Sequence, residues 1–251
     1  MSDGALLRTE RLTCDFGALR AVNRVSLDVR AGTLHSVIGP NGSGKTTLFN
    51  LMCGEIVPTD GRVYFEGRDV TGLPSHRLPH LGLARSFQRT NVFGKLTAYE
   101  NVWAAAFARR TPGALGFLRR ASEFSEVDEE ARRLLGEVGL AHKLTARAET
   151  LSHGQQRALE VGVTLASSPR LLLLDEPTQG LAPEATQQMT RLVQSLVGRY
   201  TILLIEHKMR IVMSISDRIS VMAFGELIAE GTPDEVRENR DVQRAYLGAR
   251  R

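Results

Sequence analysis

Residues 39–46 read Gly39-Pro40-Asn41-Gly42-Ser43-Gly44-Lys45-Thr46, a complete match to the pattern G-x-x-x-x-G-K-[ST]. The octet follows a short apolar run, Leu34–Ile38, and precedes Thr47-Leu48-Phe49-Asn50-Leu51, which has helical character. Strand, glycine-rich turn and helix, in that order, is what a phosphate-binding loop requires. The glycines let backbone N–H groups turn inward around phosphate oxygens, and the helix start adds the positive end of its dipole. The pattern therefore demands an α/β core in which one strand feeds directly into one helix. Asn41, Gly42, Ser43, Gly44, Lys45, Thr46 and Thr47 become the expected nucleotide contacts. Lys45 would reach the β- and γ-phosphates, and the Thr46 hydroxyl would ligate Mg²⁺.

The rest of the chain fits around that core. Residues 5–29 alternate apolar and polar side chains and read as antiparallel strands, and residues 61–70 as a further strand pair turning at Glu66-Gly67. Residues 170–175 and 201–206 are apolar without alternation, which suits strands buried on both faces of a mostly parallel sheet. Pro183–Leu196 has helical spacing between them and makes a βαβ unit. Residues 96–108, 126–139 and 155–166 read as helices, so a helical insert at about 89–165 interrupts a single domain spanning 1–251. Residues 111–122, with Pro112, Gly113 and Gly116, read as an exposed loop or a short amphipathic piece inside that insert. Residues 219–229 suit an edge hairpin turning at Gly225-Glu226, and 234–247 one or two short helices.

Composition removes several classes of function. The longest apolar runs are strand-sized, far short of the ~20 residues that cross a bilayer. The start of the chain lacks the basic-then-apolar pattern of a secretory signal, so a cytosolic protein is expected, with any membrane role supplied by a partner. Two cysteines, Cys14 and Cys53, do not make a disulfide framework or a zinc site. A net charge of +4 on scattered basic residues points to an ordinary solvated surface, and nucleic acid is not an expected partner.

Two further segments define the chemistry. Leu151-Ser152-His153-Gly154-Gln155-Gln156 stands shortly before Leu171-Leu172-Leu173-Leu174-Asp175-Glu176. Ser152, Gly154 and Gln155 open a helix, where a hydroxyl and backbone N–H groups can face an anion; simple helix capping is the alternative use of Ser152. Asp175, at the end of an apolar strand, would hold Mg²⁺, and Glu176 would polarise the attacking water. Gln88, at the entry to the helical insert, could reach both the metal and that water. His207 follows the strand at 201–206, where side chains face the ligand crevice of an α/β sheet, and could orient water beside Glu176. Phe16, with Val22 behind it, could stack on a base.

Together, residues 39–46, Gln88, 151–156, Asp175-Glu176 and His207 resemble the ordered motif set of ATP-binding cassette (ABC) ATPases, over essentially the whole chain. The resemblance implies a P-loop NTPase core with a mostly parallel sheet, an antiparallel β subdomain and a helical subdomain. It implies ATP and Mg²⁺ as ligands, and a signature segment that completes the nucleotide site of a second cassette, either a paralogue or a second copy. It also implies transmembrane permease subunits, an indirect link to a periplasmic or extracellular substrate-binding protein, and a place on the cytoplasmic face of the membrane. The stretches at 93–102, 205–209, 216–219 and 244–248 are similar to the ATPases of branched-chain amino acid importers, especially the larger of the two. A urea or amide importer, a lipopolysaccharide exporter and a soluble cassette acting on ribosomes or DNA are the alternatives. Three positions depart from the common pattern: His153 in the signature, Ala182 where Asp or Asn is usual, and Lys208 where Asp is frequent.

Glu176→Gln should bind ATP yet hydrolyse it at least about 10²-fold more slowly, as loss of a general base requires. A single-turnover assay at saturating ATP checks this, and normal turnover would remove Glu176 from its role.

Overall fold

The computed structural model describes residues 4–86, 92–110 and 121–248. Strands β1 (Ala5–Phe16), β2 (Leu19–Arg30), β4 (Asp60–Phe65) and β5 (Arg68–Asp69) form an antiparallel sheet in the order β2-β1-β4-β5. A second sheet collects β3 (Leu34–Ile38), β6 (Leu83–Ser86), β7 (Leu171–Asp175), β8 (Thr201–Ile205), β9 (Arg218–Ala223) and β10 (Glu226–Gly231). Its order is β10-β9-β3-β8-β7-β6; β9 through β6 run parallel, and β10 pairs antiparallel with β9 at the edge. This is the layout expected from the sequence.

The non-alternating apolar runs are explained by what lies on each side of them. Leu171, Leu173, Leu203 and Ile205 face a core shared with Leu48, Phe49, Leu51 and Met52 of helix α1 (Lys45–Met52) and with Leu7 and Leu12 of β1. Leu172, Leu174, Ile202 and Leu204 face the opposite way. They pack on helices α3 (Ala98–Arg110), α4 (Ala121–Glu137), α5 (His153–Leu165) and α6 (Pro183–Leu196). Both faces of each central strand are thus covered, so polar alternation would bury unpaired groups. Helix α1 lies between the two sheets, and the loop that precedes it is anchored from both sides.

The helical layer is tied together by specific side chains. Trp103 and Phe107 of α3 stack with Phe124 of α4, with ring centroids 4.9, 5.8 and 6.4 Å apart. Asp128 of α4 accepts from Trp103 Nε1 at 2.7 Å and from the Tyr99 hydroxyl. Buried Asn101 fastens the approach to α3: its amide donates to Phe93 O and Thr97 O, and its oxygen accepts from Phe93 N at 2.7 Å.

Three elements differ from expectation. Helix α4 begins at Ala121, inside the stretch read as an exposed loop or a short amphipathic piece, because the extra turn carries Phe124 into the aromatic stack. Residues 111–120 lie outside the described residues. Helices α2 (Leu78–Leu81) and α7 (Met209–Ile215) are too short to show a helical period. The C-terminal stretch forms two short helices, α8 (Pro233–Glu238) and α9 (Arg240–Gly248), one of the two outcomes expected for it.

Leu173→Ala should destabilise the chain by about 2–5 kcal/mol, since its fully buried side chain is held by both a sheet and α1. Leu19→Ala, at the exposed first position of β2, should stay within about 0.5 kcal/mol. Urea unfolding of the two variants checks the contrast.

Candidate active site

Strand β3 delivers the chain into the phosphate loop, and two contacts hold the loop in place. Gly39 has φ 155°, and a Cβ there would lie 2.2 Å from Met222 O. Gly44 has φ 98°, and a Cβ there would lie 2.3 Å from Ala21 O. Only glycine fits either position. The β9–β10 turn adds a bond from Gly225 N to Ser43 O at 3.1 Å. No side chain caps the start of α1, so its first backbone N–H groups are available to an anion. Tyr246 of α9 packs against the cluster containing Ile38, the residue before Gly39, and burial pushes its hydroxyl up to about 12.

Within the loop, Asn41, Gly42 and Thr46 are exposed, Ser43 is buried and Thr47 is half-buried. The Lys45 ammonium is drawn back onto the loop, donating to Gly39 O and Pro40 O at 2.9 Å and to Ser43 Oγ at 3.3 Å. Burial lowers its pKa, while Glu176 and Asp175 oppose that shift. These three acceptors are neutral, and an incoming phosphate would displace them as the stronger, charged acceptor.

The acidic strand end is built from β7, β8 and β6. The Asp175 carboxylate is wholly buried; Oδ2 accepts from Arg85 at 2.7 Å, and Oδ1 has no hydrogen-bond partner among the described residues. Glu176 sits in the left-handed region at φ 47° with its N–H donating to Ile205 O at 2.9 Å. Such backbone strain in a non-glycine residue persists only where the surroundings impose it, and it clusters at functional sites. His207 Nδ1 lies 3.7 Å from Glu176 Oε2, neighbouring but beyond hydrogen-bond reach.

Beneath them is a network that the sequence reading did not assign. The Glu206 carboxylate, fully buried, accepts from Thr178 N at 3.0 Å, Thr178 Oγ1 at 2.5 Å and His207 N at 3.1 Å. Lys208 Nζ donates to Thr178 O at 3.0 Å and to Thr186 Oγ1 of α6 at 3.3 Å. Lys208, a departure from the common pattern, therefore fastens the turn after Glu176 to α6. Glu206 was visible in sequence only as an acid ending an apolar strand, and Arg85 only as a cation inside one.

The signature lies apart from the phosphate loop. Ser152 caps α5 in a reciprocal box: its Oγ accepts from Gln155 N at 3.4 Å, and its N–H donates to Gln155 Oε1 at 3.1 Å. Capping uses a lone pair of the exposed hydroxyl and leaves its proton to donate elsewhere. Gly154 is required by packing, since a Cβ there would stand 2.9 Å from Ala185 Cβ of α6. Helices α1 and α5 pack against opposite faces of the six-stranded sheet. Phe16 is exposed at the end of β1, as a stacking residue must be. Val22, expected behind Phe16, has 0% exposure and lies in the core beneath β2. Gln88 lies outside the described residues.

A phosphate loop wedged between a parallel and an antiparallel sheet, a strained glutamate beyond a buried aspartate, and a signature helix on the far face define an ATP-binding cassette. The chain belongs to the ABC transporter family, whose model matches residues 22–179. A second model, described as branched-chain amino acid ATP-binding cassette transporter, matches residues 226–251. The chain is 41% identical over 249 residues to the high-affinity branched-chain amino acid transport ATP-binding protein BraF of Pseudomonas aeruginosa, covering 97% of this chain and 98% of that protein. It is 39% identical, with the same coverage, to LivG of Escherichia coli, which carries the same description. Among solved structures, the ADP conformation of an ATP-binding cassette of an ABC transporter superposes with a TM-score of 0.84 at 32% identity, covering 97% of this chain and 99% of that one. A dimeric cassette in a post-hydrolysis state, bound to ADP and Pi, superposes with a TM-score of 0.75 at 25% identity, covering 90% and 98%.

Glu206→Ala should leave the Thr178 and His207 donors unpaired in a buried site, at a cost of about 1–3 kcal/mol in stability. ATP turnover should fall at least about tenfold (each tenfold being ~1.4 kcal/mol) with ATP affinity little changed. Thermal unfolding, equilibrium binding and turnover of the one variant check this; a parallel loss of affinity would assign the network to the fold alone.

Proposed function

We propose that this chain is a LivG-type ATPase subunit that powers an importer of branched-chain or other amphipathic amino acids. It would work at the cytoplasmic face of the membrane as one of two cassettes attached to permease subunits, with a substrate-binding protein on the far side. The observation that carries the reading is the separation of the phosphate loop and the signature onto opposite faces of one sheet. Each is half a nucleotide site, and closing two cassettes together supplies the missing halves. The near-complete coverage of the chain by branched-chain amino acid transport ATP-binding proteins supports the substrate class.

The residues fit a divalent cation. Asp175 Oδ1 is a buried anionic oxygen without a hydrogen-bond partner among the described residues, and Thr46 is exposed at the start of α1. Thr46 and Asp175 would hold Mg²⁺, with Gln88 as the expected third group; the ion would neutralise charge on the β- and γ-phosphates. Lys45 exchanges its loop carbonyls for phosphate oxygens. Glu176, its backbone held by Ile205 O, orients the lytic water and draws off its proton. His207, held from behind by Glu206, donates toward the γ-phosphate. Ser152, the Gly154 N–H and Gln155 of the opposing cassette close over the same phosphate. Catalysis is then positioning plus charge stabilisation.

A pocket of about 410 Å³ joins the two layers, walled by Cys53, Leu78 and Arg85 on one side and Glu160, Val163 and Thr164 of α5 on the other. Its mostly apolar walls suit a permease segment, which would then lie beside the acidic strand end.

The Glu176→Gln variant, tagged and recovered with ATP from its own detergent-solubilised membranes, should bring down two hydrophobic subunits and a second, related ATPase. Recovery of ribosomal or DNA-bound proteins without any membrane subunit would overturn the reading. Ser152→Arg should abolish hydrolysis while the single chain still binds ATP; equal loss of both would reduce Ser152 to a helix cap.

A further inference from the structure

Arg85 is a cation in the middle of β6, a four-residue strand whose other members, Leu83, Ala84 and Ser86, are buried. Its side chain is only 10% exposed. One arm donates to Asp175 Oδ2 at 2.7 Å, and the other to Asn50 Oδ1 at 2.6 Å. Its Nε is buried without a partner among the described residues. The thiol of Cys53 also lies against it, and burial pushes that thiol up to about 12, so it stays neutral. The ion pair that the guanidinium makes with Asp175 is thus joined by a neutral neighbour, not a second anion, at Cys53.

A buried ion pair is a weak source of stability, because desolvating both charges offsets most of the attraction. Stability alone gives little reason to keep a half-satisfied arginine here. Geometry gives a better one. Asn50 stands four residues after Thr46 on α1, so the two share a helix face. The rigid, planar fork of one guanidinium thus spans from the helix that carries Thr46 to the carboxylate of Asp175. By occupying Oδ2 it also decides which oxygen of Asp175 remains unpartnered.

We propose that Arg85 is the positioning residue of the divalent-cation site, fixing the gap between Thr46 and Asp175 Oδ1 by gripping Asn50 with one arm and Asp175 Oδ2 with the other. The proposal rests on the reading of Thr46 and Asp175 as the metal side of the ATP site. Because Arg85 also lines the pocket between the two layers, whatever enters that pocket meets the group that sets the metal gap.

The test is equilibrium binding of a fluorescent ATP analogue, measured once with excess Mg²⁺ and once with excess EDTA. In the unmodified protein Mg²⁺ should tighten binding by a definite factor. Arg85→Met should keep metal-free affinity within about threefold and shrink that factor by about 10–100-fold, or abolish it, as loss of a partner that orients a metal ligand does. Arg85→Lys retains the charge, so it guards against misfolding, but one ammonium cannot hold both partners, and the factor should be intermediate. An unchanged factor in both variants overturns the proposal. So does a metal-free affinity that falls as far as the Mg²⁺-bound one, which would mean general collapse of the site. Asp175→Asn separates the two levels: if it keeps the full factor, the metal-site reading fails; if it loses the factor while Arg85→Met keeps it, only the role of Arg85 fails.

Discussion

Two backbone oxygens, Met222 O from the parallel sheet and Ala21 O from the antiparallel one, press on the phosphate loop at Gly39 and Gly44. At these contacts the loop touches both sheets with nothing larger than hydrogen between. The loop therefore cannot relax without parting the two layers, and α1, buried between them, cannot shift without moving the loop. The anion site is rigid because the whole core is packed on either side of it. This is a costly arrangement for the backbone and a useful one for a group that must meet phosphate with preset N–H directions.

A second level of order sits below the side chains that would touch ATP. Asp175, Glu176 and His207 occupy the ends of adjacent strands, where the chain leaves the sheet and loses ladder hydrogen bonds. Glu206 and Lys208 replace those bonds, one as a buried acceptor and the other as a donor reaching to α6. The turn after Glu176 is thereby connected to α6, and α6 meets the signature helix at Gly154 and Ala185. A set of contacts thus runs from the acidic strand end through Lys208 and α6 to the signature.

Much of this was legible in the sequence, for definite reasons. The octet at 39–46 fixes strand, loop and helix together because each glycine answers a steric demand. The runs at 171–174 and 202–205 announce doubly covered strands because an unpaired polar side chain on either face would be buried. Helix ends were less legible: α4 starts early because Phe124 has partners on α3, a tertiary fact invisible in local spacing. Helix α7 has seven residues, too few to display a period. Val22 was read as backing Phe16, and the strand's alternation turns its side chain into the core. Arg85, Asn50 and Glu206 escaped because each matters through partners far along the chain, and a single sequence carries no record of such pairing.

One property of the helical layer has a practical side. The chain has a single tryptophan, Trp103, and it lies in the stack of α3 on α4 with its indole N–H held by Asp128. Under excitation selective for tryptophan rather than the four tyrosines, emission from this protein thus originates from one place, within the layer that would carry motion outward, and from none of the residues assigned to ATP. A change in its colour or intensity on adding nucleotide would be a native reporter of displacement between those two helices, with no label and no alteration of the chain.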